Sequence, residues 1–141
     1  MDTLLASDTQ KILQLSNQEA QRLNSAAIGT GHLLIAYLRG SKVRLDSIKI
    51  RIECDIDAAR SHVAKFTDEP AVDSRGKLPF DFEAKMAIEQ AIQANHGDLA
   101  FSPHHLLIGV LDDQESLANK VLTAMGIDTT DLLAELKATV G

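Results

Sequence analysis

A short text is written twice in this chain of 141 residues: GTGHLLIAYL at 29–38 and SPHHLLIGVL at 102–111. Both are a helix start followed by His-Leu-Leu-Ile and a further apolar turn. His32 and His105 stand 73 positions apart (105 minus 32). The register persists beyond these boxes. Glu53-Cys54-Asp55 lies 73 before Gly126-Ile127-Asp128, so an Asp able to cap a helix recurs in step. A repeat of this kind restricts the fold strongly. A four-helix unit of about 60 residues is small for an independent core, whereas two copies packed together share one. The expected architecture is all-α: two four-helix repeats with pseudo-twofold symmetry, packed into one domain over 1–141.

Periodicity of apolar residues fills in the elements. Ser7 opens a capping box with Gln10, and Ile12, Leu13, Ser16, Ala20 and Leu23 follow on one face. Thr30 is the expected N-cap of a helix over 31–39, which Gly40 ends. A third helix spans about 42–52. A fourth runs from Asp55 to Phe66, with Ile56, Ala59 and Val63 inward. Repeat one thus covers 5–66. The stretch TDEPAVDSRGKLP, 67–79, carries two prolines and a glycine without periodicity and reads as a linker. Repeat two, 80–140, opens with Asp81 capping a helix whose inward residues are Phe82, Ala87, Ile88, Ala91 and Ile92. Ser102 caps the next helix with Pro103 at its first position, where no N–H donor is needed. Leu106, Leu107, Val110 and Leu111 form its apolar face. A helix from Glu115 to Met125 stops at Gly126, and a last one after Asp128 turns Leu132, Leu133, Leu136 and Val140 inward. The first helices of the two repeats drift by a residue or two, because the turn before Phe101 is longer.

Composition excludes several functions. The net charge of −6 opposes an electrostatic grip on nucleic acid or anionic lipid. The basic run Lys42, Arg44, Lys49, Arg51 has no aromatic platform and reads as a solvated face. No apolar stretch reaches the length of a membrane span. The first ten residues, MDTLLASDTQ, lack a secretory pattern, and the single cysteine, Cys54, forbids an internal disulfide. The expectation is a cytoplasmic protein with no membrane contact. Cys54 aligns with apolar Ile127 and reads as an inert thiol. The histidines lack CxxC, HxxxH or HExxH spacing, so no metal site is expected. Asp112, Asp113 and Glu115 lie between two helices and read as caps in a solvated loop.

QKILQLSNQEAQRLNSAAIGTGHLLIAYL resembles the N-terminal repeat domain of the Clp/Hsp100 unfoldases, ClpA and ClpC type. LPFDFEAKMAIEQA, SPHHLLIGVLDDQES and KVLTAMGID continue the resemblance through the second half, from about Leu5 to Lys137. It implies a double Clp-N motif: a non-catalytic domain that recruits protein substrates or adaptor proteins to an ATP-driven ring, monomeric when isolated. It also implies that His32 and His105 pack and bond to neighbouring backbone. No GxxxxGK[ST] loop is present, so no cofactor is expected in this chain, and ATP belongs to a downstream motor. The alternative is a stand-alone Clp accessory protein; a helical enzyme or DNA-binding domain ranks behind both. The family's geometry points to an inter-repeat groove near Gly31, His104, Phe80 and Asp81 as the peptide or adaptor site. Gly31 and His104 stand where ClpC-like domains carry glutamates that take part in reading phosphorylated arginine, and Ala6 replaces a family Thr. Neither Gly31 nor His104 supplies a carboxylate for a guanidinium, so phosphoarginine recognition is not expected. Ile52-Glu53 replaces the family's Leu-Gly before the last helix of repeat one, which implies a different turn there.

Overall fold

The computed structural model describes residues 7–43, 50, 52–67, 70–97 and 101–140. Among them are seven helices: α1 (Ser7–Arg22), α2 (Thr30–Lys42), α3 (Ile56–Phe66), α4 (Phe82–Ala94), α5 (Pro103–Asp112), α6 (Leu117–Ala124) and α7 (Thr129–Val140). The helix expected over 42–52 falls mainly on 44–49 and 51, which lie outside the described residues. The only extended pairing among the described residues is an isolated parallel bridge between Ile28 and Phe80.

Helix starts follow the side chains that can satisfy orphan N–H groups. Asp55 accepts from the Asp57 and Ala58 amides (2.9 and 3.4 Å), and Asp81 from Ala84 (2.8 Å). Ser102 accepts from His105 (3.3 Å) with Pro103 at the first helical position, and Asp128 from Asp131 (3.1 Å). Four expected details are corrected. Thr30 is already helical and Gly29 is the cap, because the His32 ring accepts the Gly29 N–H. Gly40 is buried inside α2 and does not end it. α6 begins at Leu117 rather than Glu115, capped by Ser116, whose hydroxyl accepts from the Asn119 amide at 3.2 Å, and it ends at Ala124 rather than Met125. Phe82, expected inward, is 77% exposed. It lies two residues, about 200°, around the helix from buried Ala84, so the stripe Ala84, Ala87, Ala91 turns it outward.

The two HLLI helices form the centre. Leu33, Leu34 and Ile35 on α2, and Leu106, Leu107 and Ile108 on α5, are all buried, and most other residues of both helices are buried too. A helix apolar all round belongs in an interior. α1 and α3 pack on α2, and α4 and α7 pack on α5. Across the repeats α2 meets α5, α3 meets α6, and the reciprocal pairs α1 with α5 and α2 with α4 also touch.

Backbone geometry confirms the internal duplication. Asn24 (φ 56°) and His96 (φ 58°) take the same left-handed conformation after α1 and α4. The next residues close equivalent bonds, Ser25 N–H to Ala20 O and Gly97 N–H to Ile92 O, each 2.9 Å. These pairs are 72 apart (96 minus 24), one less than the HLLI boxes, so the turn before Phe101 is longer by one residue. The crossings match as well. The Thr9 hydroxyl donates to Phe101 O (2.5 Å), and the Asp81 N–H donates to Ile28 O (2.9 Å). Thr9 and Asp81 are 72 apart and Ile28 and Phe101 are 73 apart, so each repeat fastens its first helix to the same point of the other.

Candidate functional site

The two histidines make equivalent cap bonds, His32 buried and His105 half-buried. His32 Nδ1 accepts the Gly29 N–H at 2.9 Å, and His105 Nδ1 accepts the Ser102 N–H at 3.2 Å. Each ring therefore satisfies an N-cap backbone group, which is structural work. Burial pushes the His32 pKa down to about 4 against the opposing charge of Glu19, and burial lowers His105 as well. Both bonds need the neutral ring.

Gly31 and His104, expected on a docking surface, are both buried. A Cβ on Gly31 would sit 3.0 Å from Val63 Cγ1 and 3.1 Å from Leu117 Cδ2, on α3 and α6. His104 accepts from the Ile50 N–H at 3.4 Å and meets the Tyr37 ring edge-on at 6.2 Å. Tyr37 Oη in turn donates to Ile50 O at 2.7 Å. Packing between the repeats thus takes these two positions away from any surface. Asp81 is exposed, with one carboxylate oxygen engaged as the α4 cap.

Phe80 is placed differently. The linker from Gly76 to Phe80 runs along α1 and is fastened there by amide side chains. Asn17 Oδ1 accepts the Leu78 N–H (2.8 Å), while Asn17 Nδ2 (3.0 Å) and Gln21 Nε2 both donate to Gly76 O. Gly76 has φ +69°, a turn that glycine makes without strain. The Ile28 N–H donates to Pro79 O at 2.8 Å, which holds Phe80 beside Ile28. Between α1 and this strap lies an open groove of about 600 Å³. Leu13, Ile28, Leu78 and Phe80 supply its apolar wall. Gln10, Gln14 and Gln18 supply amides, Asn17 is taken up by the strap, and Lys77 brings the one charge among the lining residues. Such a surface can hold an apolar side chain while amides bond an extended backbone. The amides on α1 were not singled out from the sequence because, on a helix, a row of Gln and Asn looks the same whether it faces water or a strap.

Other chemistry is poorly set up. Cys54 is half-buried, and burial with the nearby Asp55 and Glu53 charges pushes its thiol pKa up, away from nucleophilic character. His62 stacks on Phe66 at 5.9 Å. Among the described residues no three His, Cys, Asp or Glu side chains cluster as metal ligands. The acidic residues behave as caps and surface pairs: Asp113 takes the Glu115 N–H (2.9 Å), and Asp112 pairs with Lys137 (3.1 Å). Among the described residues no helix is long and apolar enough to cross a membrane.

The chain is thus a duplicated helical bundle with an open groove beside α1 and with its histidines given to packing. The Clp repeat (R) N-terminal domain matches twice, over residues 4–96 and 83–141, and the chain belongs to that family. It is 29% identical over 136 residues to a probable ATP-dependent Clp protease ATP-binding subunit of Chlamydia pneumoniae, covering 89% of this chain and 15% of that protein. It is 27% identical to the chloroplastic chaperone protein ClpC of Pisum sativum, covering 93% and 14%. The chain therefore spans about one seventh of the length of these relatives. The crystal structure of the N-terminal domain of the caseinolytic protease associated chaperone ClpD from Arabidopsis thaliana superposes with a TM-score of 0.73 at 25% identity, over 96% of each chain.

Proposed function

We propose that this chain is the docking domain of a ClpA/ClpC-type unfoldase, receiving protein substrates or adaptor proteins for ATP-dependent unfolding and proteolysis. The observation that carries this reading is the family match across both repeats, with relatives named as ATP-binding subunits of the Clp protease. The domain itself performs no chemistry; ATP is handled elsewhere in the motor. Its partners are polypeptides, not nucleic acid or membrane, and it acts as a monomer when isolated, in the cytoplasm. The α1 groove with Phe80 is the surface we assign to docking. Gly31 and His104 are buried where the repeats meet, outside the lining of that groove, and Asp81 follows Phe80 as the α4 cap.

The test joins residues 1–141 to a ClpC motor stripped of its own N-terminal domain and follows degradation of an unfolded protein with the peptidase present. Recruitment predicts faster degradation with the fusion than with the bare motor, and a loss of that gain in Phe80→Ala. Equal rates for fusion and bare motor sink the reading and leave the free-standing accessory role, which calls for binding to the assembled protease without tethering.

A further inference from the structure

The duplication lets one repeat show what belongs in the other. In repeat one, Arg39 reaches from α2 to α1, where Nη1 donates to Gln18 Oε1 (3.2 Å) and Glu19 Oε2 (2.9 Å). A guanidinium therefore bridges the α1–α2 seam. The equivalent seam in repeat two lies between α4 and α5. There Arg39 is replaced by Asp112 (39 plus 73) and Glu19 by Ala91 (19 plus 72), while Gln18 is matched by Gln90. The amide is kept and the cation is gone. Asp112 turns to Lys137 instead.

What remains is a cleft of about 300 Å³ floored by Met86, Ala87, Gly109 and Val110. Its rim carries Glu83, Gln90 and Asp113, and no Lys or Arg lines it. Glu83 engages Oε1 with the Thr30 hydroxyl (2.6 Å) and the Leu117 N–H (3.2 Å). Asp113 engages Oδ1 with Glu115. The second oxygen of each has no hydrogen bond among the described residues. Phe82, four residues before Met86 and so on the same helix face, extends the apolar floor into solvent.

We propose that the α4–α5 cleft receives an unmodified arginine side chain of a partner polypeptide, with an apolar neighbour of that arginine resting on Phe82 and Met86. The guanidinium lies in the α4–α5 seam that Arg39 bridges in repeat one, its stem on Ala87 and Val110 and its donors toward Gln90 and Asp113, while Glu83, two turns along α4, adds negative charge at the rim. A planar fork suits carboxylate and amide acceptors better than a point-charged ammonium does. A phosphorylated arginine is repelled by the same carboxylates. The inference does not need the α1 groove to be occupied, and the two surfaces report on different residues.

The probe is a capped peptide with one arginine between two leucines, titrated into ¹⁵N-labelled chain 1–141, with its citrulline twin and its phosphoarginine twin as neutral and anionic controls. Saturable amide shifts should centre on Glu83, Gln90, Gly109 and Asp113, with both twins at least tenfold weaker. Gln90→Ala should weaken the arginine peptide several-fold. Asp112→Arg, which supplies the cleft with its own guanidinium, should weaken it at least tenfold while helical circular dichroism stays unchanged. Equal binding of the citrulline twin overturns the proposal. So do shifts centred on Leu13 and Phe80, an unaffected Asp112→Arg variant, or no binding at millimolar peptide.

Discussion

Gly31 shows how a single missing side chain separates packing from recognition. Its position lets α2 approach Val63 and Leu117, and even a Cβ would sit tighter than ordinary contact there. Restoring the family's carboxylate with Gly31→Glu should therefore cost stability, about 2–3 kcal/mol for an overpacked, partly desolvated side chain. Urea titration would register this as a lower midpoint, and phosphoarginine should still give no saturable shift at residue 31. A gain of phosphoarginine affinity without loss of stability would show that the site opens more readily than its packing implies. Glu19 is the opposite case, a carboxylate with no exposed surface. Burial alone would raise its pKa, but the hydrogen bonds and charge of Arg60, with Arg22 and Arg39, overcome that and hold it below its ordinary value of 4.5. Arg60 grips it with two nitrogens, at 2.8 and 3.0 Å. Glu19→Gln leaves Arg22, Arg39 and Arg60 short of a counter-charge and should destabilise by about 2–4 kcal/mol. The pH windows follow from the signs. His32 is depressed from 6.5 to about 4, so its contribution is complete above 6.5 and drains away as pH falls toward 4, at most about 3 kcal/mol. Glu19 adds a second loss only below about 4.5. Unfolding free energies measured from pH 7 to 4 should fall for the wild type and flatten for His32→Gln; identical slopes would place the protonation elsewhere.

Between elements, α4 and α5 meet very closely at Gly109. A Cβ at Gly109 would fall 2.1 Å from Ala87 O, a backbone atom that cannot move aside. The alanine stripe of α4 and this glycine let the helices meet nearly backbone to backbone, whereas the equivalent α2 position carries Ala36. Gly109→Ala should force the pair apart and cost about 3 kcal/mol or more, despite the better helix propensity of alanine. A rise in melting temperature would refute this packing. The same contact explains what could be read from the sequence and what could not. Caps at Asp55, Asp81, Ser102 and Asp128 were legible because a short side chain bonds its own next turn. So was the duplication, since register needs no geometry. The direction of Phe82 was not, because three alanines outweigh one aromatic only once α5 has been brought against them. Nor was Gly40 inside α2: glycine is a terminator by propensity, and tertiary burial overrides it. At the site, Phe80 lines the cleft beside α1, and its docking role stays a proposal. The burial of Gly31 and His104 was not legible, since it depends on α3, α6 and Ile50 arriving from elsewhere in the chain.

For the whole molecule, the two repeats should have one interior and one unfolding transition. The α2–α5 contact, the α3–α6 contact and the reciprocal bonds from Thr9 and Asp81 all cross between repeats. Each half, at about 60–70 residues, is small for a core of its own. Tyr37, the only tyrosine in a chain without tryptophan, reports on this directly. It sits in repeat one, buried, with its ring against His104 of repeat two. Its fluorescence follows that junction, while far-ultraviolet circular dichroism follows helices in both halves. The two signals should give the same urea midpoint and slope, since coincident probes are the mark of a two-state transition. Fragment 79–141 alone should show weak helicity and no cooperative melt, and adding fragment 1–78 should restore both. A fluorescence transition that precedes the loss of helix, or a cooperative melt of 79–141 by itself, would mean that each repeat is its own folding unit. The proposed docking groove would then sit between two separate bodies, and a partner held there would couple to their relative motion. With a single transition, the proposed docking surface is already formed before any partner arrives, and the cost of ordering falls on the partner's own chain.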